Sequence, residues 1–182
     1  MHPVNDDNPQ GHFLIPKKRL KWGFRKRIIV KEYTMKIILA SDHRGLNVQS
    51  TILEYLQTLP EHTVTLVEEQ CSGDADYPDI AAKVAQSVSS GVADFGILIC
   101  GTGIGTCIVA NKFPDVRAAP CHNEVSAELS RKHNDANVLC LSGDLLGERS
   151  SVAVVAIWLN TKFDGGRHSV RLEKIRQLEV RA

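Results

Sequence analysis

The chain has 182 residues, 43% of them hydrophobic and 24% charged, with 13 glycines and 7 prolines, which excludes collagen-like, low-complexity and wholly disordered chains. Its longest unbroken apolar run in the body, Val152 to Leu159, is too short to span a bilayer, and its five cysteines, none in C-x-x-C spacing, form neither a disulfide framework nor a zinc ribbon. The net charge of +1 hides an asymmetry: residues 1–34 carry eight Lys/Arg against three acids, and residues 35–182 carry 14 against 18. In chain order, residues 1–12 are rich in Pro, Asn, Asp and Gly and favour turns. A basic cluster over 17–27 surrounds Trp22 and Phe24 and reads either as a solvated tail or as a surface for nucleic acid or another anion. No apolar core follows the charges, so the leader is not a signal peptide, and its acids and lack of serine disfavour a transit peptide. Met35 opens the strongly patterned segment and is an alternative start. The expected organisation is an unstructured leader over 1–34 and a single domain over 35–182, in a reducing cytoplasm.

From Met35 apolar runs alternate with amphipathic stretches. Lys36–Ser41 reads as a first strand, and Val48, Ile52, Tyr55, Leu56 and Leu59 share one face of a helix. Thr63–Val67 is a β-branched second strand. Pro78 in a helix first turn precedes the apolar face Ile80, Ala81, Val84, Ala85 and Val88. Phe95–Cys100 is the third strand, followed by a glycine-rich loop and a short helix. Val116–Pro120 and Asn137–Leu141 are strands four and five, with a helix over about 123–133 between them. Helices over about 145–160 and from about 168 close the chain. Strict alternation predicts an α/β fold, a three-layer Rossmann-like sandwich with a mainly parallel five-stranded sheet. The expected strand order is 2-1-3-4-5, with a switch point between strands one and three.

Ligands in such sheets bind beyond the carboxyl ends of the strands at the switch point. There the sequence places Asp42 and His43 after strand one, and Cys100-Gly-Thr-Gly-Ile-Gly-Thr106 after strand three. The loop is neither a dinucleotide fingerprint nor a Walker loop, because its third glycine comes one residue early and no Gly-Lys-Ser/Thr follows. It offers either a tight turn or a row of backbone N–H groups suited to an anion. Cys100 reads either as a small buried hydrophobe or, because it leads into a helix N-terminus, as a base or nucleophile. Cys71, Cys107, Cys121 and Cys140 read as packing residues, and the Cys121-His122 pair is not a metal ligand set. His133 ends the helix before strand five. That helix starts at the carboxyl edge of the sheet and runs back about 15 Å, so its end belongs at the edge opposite Cys100. His133 is therefore either structural or serves the site of a neighbouring subunit. Arg167, His168 and Arg171, after Gly165-Gly166, either clamp a phosphate or open a surface helix.

These pieces together resemble the ribose-5-phosphate isomerase B family of sugar-phosphate isomerases, which includes allose- and galactose-6-phosphate isomerases. The resemblance rests on Ser41-Asp42-His43, Asp76-Tyr77-Pro78-Asp79, Gly96 to Gly105, Ala110-Asn-Lys-Phe113, Leu129 to Asp135 and Gly165-Gly-Arg-His168, spanning about 36–171. It implies an aldose–ketose isomerase that interconverts ribose 5-phosphate and ribulose 5-phosphate through an enediolate. Cys100 would be the base between C1 and C2, and His133 the acid/base that opens the ring. Asp42, His43, Gly101, Thr102, Gly103, Ile104, Gly105, Asn134, Arg167 and Arg171 would bind the substrate. No cofactor or metal is expected, and neither membrane nor nucleic-acid binding. Homodimers or homotetramers whose sites use two chains are. Two positions depart from the family pattern: Asp144 stands where many members carry a substrate-contacting Arg, and Arg44 replaces a small residue. The alternatives are an isomerase of another sugar phosphate, a non-catalytic sugar-phosphate-binding module, and a nucleic-acid binder using the leader.

Overall fold

The computed structural model describes residues 34–67 and 76–179. The leader through residue 33, Cys71 and the last three residues lie outside the described residues, so the readings of the leader and of Cys71 do too. Five strands, β1 (Lys36–Ser41), β2 (Thr63–Leu66), β3 (Phe95–Cys100), β4 (Ala118–Pro120) and β5 (Val138–Ser142), form one sheet in which every pairing is parallel. Between and after them lie α1 (Leu46–Gln57), α2 (Tyr77–Ser89), α3 (Ile104–Ala110), α4 (Glu124–Asn134), α5 (Glu148–Asn160) and α6 (Arg167–Glu179).

The strand order is β2-β1-β3-β5-β4, not the expected 2-1-3-4-5. Burial gives the reason. All five residues of β5 are buried, as a central strand flanked by helices on both faces requires. The three residues of β4 are only partly covered and end in Pro120, whose missing N–H is tolerated at an edge. The chain therefore passes from β3 over the position of β5 to the edge, then turns back through α4.

That reversal decides which face each helix covers, because right-handed crossovers running in opposite directions lie on opposite faces. The side chains of Ile37, Leu39, Ile97, Ile99, Leu139 and Leu141 meet α1, α4 and α5 on one face, around the fully buried Trp158. Ile38, Ala40, Leu98, Val138 and Cys140 meet α2 and α3 on the other. The period-two alternation along each strand divides the core into these two clusters.

Local chemistry starts the helices. The Asp76 carboxylate accepts the Tyr77 N–H at 2.8 Å and Pro78 sits in the first turn of α2. Asn123 and Ser126 form a reciprocal capping box at α4. Asp135, at φ 44°, closes α4 in the left-handed conformation. Among the described residues no helix is long and apolar enough to cross a membrane.

Candidate active site

The switch point forms where the connection from β1 leaves to one side, toward β2, and that from β3 to the other. A cleft of about 470 Å³ opens there, lined by Asp42, His43, Arg44, Asp76, Tyr77, Cys100, Gly101, Thr102, Ile104, Gly105 and Ile108. Of the residues expected to bind substrate, Asp42, His43, Gly101, Thr102, Ile104 and Gly105 line it together with Cys100. Gly103 belongs to the same loop.

Cys100 is 5% exposed, the last residue of β3. Its sulfur accepts the Gly103 N–H at 3.1 Å and lies 3.5 Å from the Thr106 hydroxyl, which donates back to the Gly103 carbonyl at 3.2 Å. This small ring of bonds fixes the thiol against the start of α3. It also means that the Gly103 N–H is committed to the sulfur. The Ile104 N–H is likewise turned toward the Thr102 hydroxyl, at 3.3 Å. A side chain at either of two loop glycines would meet a different neighbour. Gly103 has φ +75°, and a Cβ there would lie 3.0 Å from the Leu141 carbonyl. At Gly105 a Cβ would meet the Tyr77 ring at 2.6 Å.

Asp42 is 7% exposed and its carboxylate accepts the Arg44 N–H at 2.9 Å, which turns the chain out of β1. The end of β5 buttresses the loop. Ser142 Oγ donates to the Gly101 carbonyl at 2.6 Å, and Gly143 N–H donates to the Cys100 carbonyl at 2.8 Å. Asp144 does not line the cleft: its carboxylate is bound by the Arg44 guanidinium, through Nε at 3.2 Å and through Nη2. Arg44 and Asp144 are thus partners of each other.

His133, Asn134, Arg167 and Arg171 are not at this cleft. Arg131, two residues before His133, holds its guanidinium 4.8 Å from the centre of the Phe95 ring and 5.3 Å from that of Trp158. Phe95 is the first residue of β3 and Cys100 the last, roughly 16 Å apart at the rise of a parallel strand. Asn134 accordingly lines a different cavity, of about 530 Å³, shared with β4 and α6. At this opposite edge Asp164 N–H donates to the Lys132 carbonyl at 3.1 Å and brings the start of α6 to the end of α4. The His133 and His168 rings stack there, 4.4 Å apart and 4° from parallel. Desolvation, then the charges of His133, Arg167 and Arg171, hold the His168 imidazole below its ordinary pKa. Arg167 and Arg171 are exposed beside this stack.

The remaining described cysteines behave as core. Cys107, Cys121 and Cys140 are buried, and burial pushes the Cys121 and Cys140 thiols up. Among the described residues no group of three or more His, Cys, Asp or Glu could hold a metal ion. Residue-by-residue reading missed Tyr77, Asp76 and Arg44 as cleft residues. The signal for Tyr77 was topological: a helix that follows a parallel strand starts at the carboxyl edge, where the cleft is.

Residues 37–175 match the Ribose/Galactose Isomerase family. Ribose-5-phosphate isomerase B of Escherichia coli is 40% identical over 148 residues, covering 80% of this chain and 97% of that protein. Ribose-5-phosphate isomerase B of Clostridium thermocellum superposes with a TM-score of 0.77 at 42% identity, over 81% of this chain and 99% of the other. The Mycoplasma genitalium enzyme of the same name, solved with bound ribulose-5-phosphate, superposes with a TM-score of 0.76 at 40% identity, over 81% and 97%.

Proposed function

The chain belongs to the Ribose/Galactose Isomerase family, and from that premise we propose that it interconverts ribose 5-phosphate and ribulose 5-phosphate, with Cys100 as the base. The observation that carries this reading is the position of Cys100. It is a nearly buried thiol in the switch-point cleft, beside a buried carboxylate and a glycine loop that lines the same cleft. The Mycoplasma genitalium relative solved with ribulose-5-phosphate supports the choice of sugar.

The chemistry closes within one substrate molecule. The Cys100 thiolate takes the proton from C2 of the open-chain aldose, leaving an enediolate with its charge on the C1 oxygen. The proton of the C2 hydroxyl passes to that oxygen, the Cys100 thiol returns its proton to C1, and a ketose results. Oxidation at C2 is matched by reduction at C1, so the reaction needs no external electron acceptor. Loop N–H groups aimed at the two oxygens stabilise the charge that develops on them. With the Gly103 N–H held by the sulfur, that role falls to the Gly101, Thr102 and Gly105 N–H groups.

Ring opening must precede proton transfer, and His133 is the residue assigned to it. His133 and Cys100 lie at opposite edges of one sheet, so a second copy of the chain supplies His133, with Asn134, Arg167 and Arg171 as further substrate and phosphate contacts. Activity then requires at least a dimer.

The test is turnover of ribose 5-phosphate and allose 6-phosphate by the full-length chain, with Cys100→Ala as control. Ribose 5-phosphate is expected to be turned over, and loss of the base should lower kcat by about 10²–10⁴ with the fold intact. Turnover of allose 6-phosphate alone would change the sugar and keep the mechanism. Wild-type rates from Cys100→Ala would remove the base assignment.

A further inference from the structure

We propose that Arg44 is a specificity-determining residue of this cleft: its guanidinium, aimed by the Asp144 carboxylate, binds the phosphate of the substrate. The inference rests on the sugar-phosphate reading above and adds a cation supplied by the same chain that supplies Cys100.

Four observations carry it. Arg44 is the one lysine or arginine among the described residues that line the cleft, where it stands beside the acids Asp42 and Asp76, whose charges are unfavourable to a dianion. Asp144 takes Nε–H and one N–H of Nη2, which leaves three of the five guanidinium N–H groups for a ligand. Both ends of the pair are tied to residues that line the cleft. The Arg44 N–H donates to Asp42 at 2.9 Å, and the Asp144 N–H donates to the Gly101 carbonyl at 3.1 Å. Finally, the pair lies directly over Gly101: a Cβ there would be 3.0 Å from both Arg44 Nε and Asp144 Oδ2. The guanidinium is therefore held next to the residue that follows Cys100. Its side chain is more than half exposed, so the remaining N–H groups are accessible.

A planar fork with one edge fixed by a carboxylate presents its other edge in a set direction, which suits the paired oxygens of a phosphate better than a single hydroxyl. Asp144 is then a positioning residue. Its own charge is unfavourable to a phosphate and tolerable only while Arg44 covers it, so the effect of removing that charge should change sign with the residue at 44.

The experiment measures KM and kcat for ribose 5-phosphate, and calorimetric binding of inorganic phosphate, in full-length wild type, Arg44→Ala, Arg44→Lys, Asp144→Asn and Arg44→Ala/Asp144→Asn. Arg44→Ala should raise KM and the phosphate Kd together by about tenfold, the scale of losing a charge-assisted pair, with kcat little changed. Arg44→Lys should recover part of the loss. Asp144→Asn should weaken phosphate binding in the wild-type background and strengthen it in the Arg44→Ala background. A phosphate Kd that does not move in Arg44→Ala, or an effect of Asp144→Asn with the same sign in both backgrounds, overturns the proposal. A wild-type chain that turns over no sugar phosphate refutes the isomerase reading instead, while the phosphate Kd values still report on Arg44.

Discussion

Gly103 and Gly105 sit two residues apart in the loop beneath the cleft, yet a methyl group added at each meets a different obstacle. At Gly103 it meets backbone, the Leu141 carbonyl at 3.0 Å, in a residue whose φ of +75° already disfavours any side chain. Neither the neighbouring strand nor the turn can give way cheaply, and the left-handed conformation alone costs about 1–2 kcal/mol. At Gly105 the obstacle is the ring of Tyr77, a half-exposed side chain at the start of α2 that can swing aside. Gly103→Ala should therefore lower stability by about 1–3 kcal/mol, read as a shift of the urea midpoint. Gly105→Ala should leave the midpoint nearly in place and raise KM, because the displaced Tyr77 lines the cleft. Equal midpoint shifts in the two variants would contradict this division. The same distinction explains why glycine spacing alone was ambiguous in the sequence. The reasons for these glycines lie in Leu141 and Tyr77, which are distant in the chain.

Elements were more legible than their arrangement. The apolar face of α2 and the continuous apolar β3 bury what their periods predict, whereas β2, at the sheet edge, leaves Thr63, Thr65 and Leu66 exposed. The start of α5 at Glu148 rather than near 145 reflects Gly147, which occupies the N-cap, and Leu145, which is left exposed. Strand order was misread because chain order was taken as spatial order, although the composition of β4 and β5 held the answer. A three-residue strand ending in proline suits an edge, and Val138-Leu-Cys-Leu-Ser142 suits a centre. The return from that edge depends on α4, the helix that carries His133. Its N-terminus relies on the capping box, with Ser126 N–H donating to the Asn123 side chain at 2.8 Å. Asn123→Ala should cost about 1 kcal/mol in a denaturant melt, and Asn123→Asp should recover most of it. A melt unchanged by Asn123→Ala would show that packing of α4 against α5 alone fixes the helix.

At the scale of the whole molecule, the residues assigned by resemblance fall into two groups that one chain cannot unite. Cys100, Asp42, His43 and the glycine loop share the carboxyl edge of the sheet. His133 stacks on His168 beyond the amino edge, fixed there because Arg131 packs on Phe95 and Trp158. The length of α4 and its direction made this separation legible in the sequence, as element geometry rather than motif. What no single chain's sequence displays is the neighbour that would bring the halves together. If each active site takes Cys100 from one chain and His133 from another, two inactive variants can repair each other. Cys100→Ala and His133→Ala homo-oligomers should each be nearly inactive. After mixing and subunit exchange, each mixed dimer would hold one intact site and one doubly damaged site. With random exchange, half of the dimers are mixed, so recovered turnover should approach about a quarter of the wild-type rate per chain. No recovery, with exchange verified by mass, would mean that His133 and Cys100 do not serve one site across chains and would return His133 to a structural role at the end of α4.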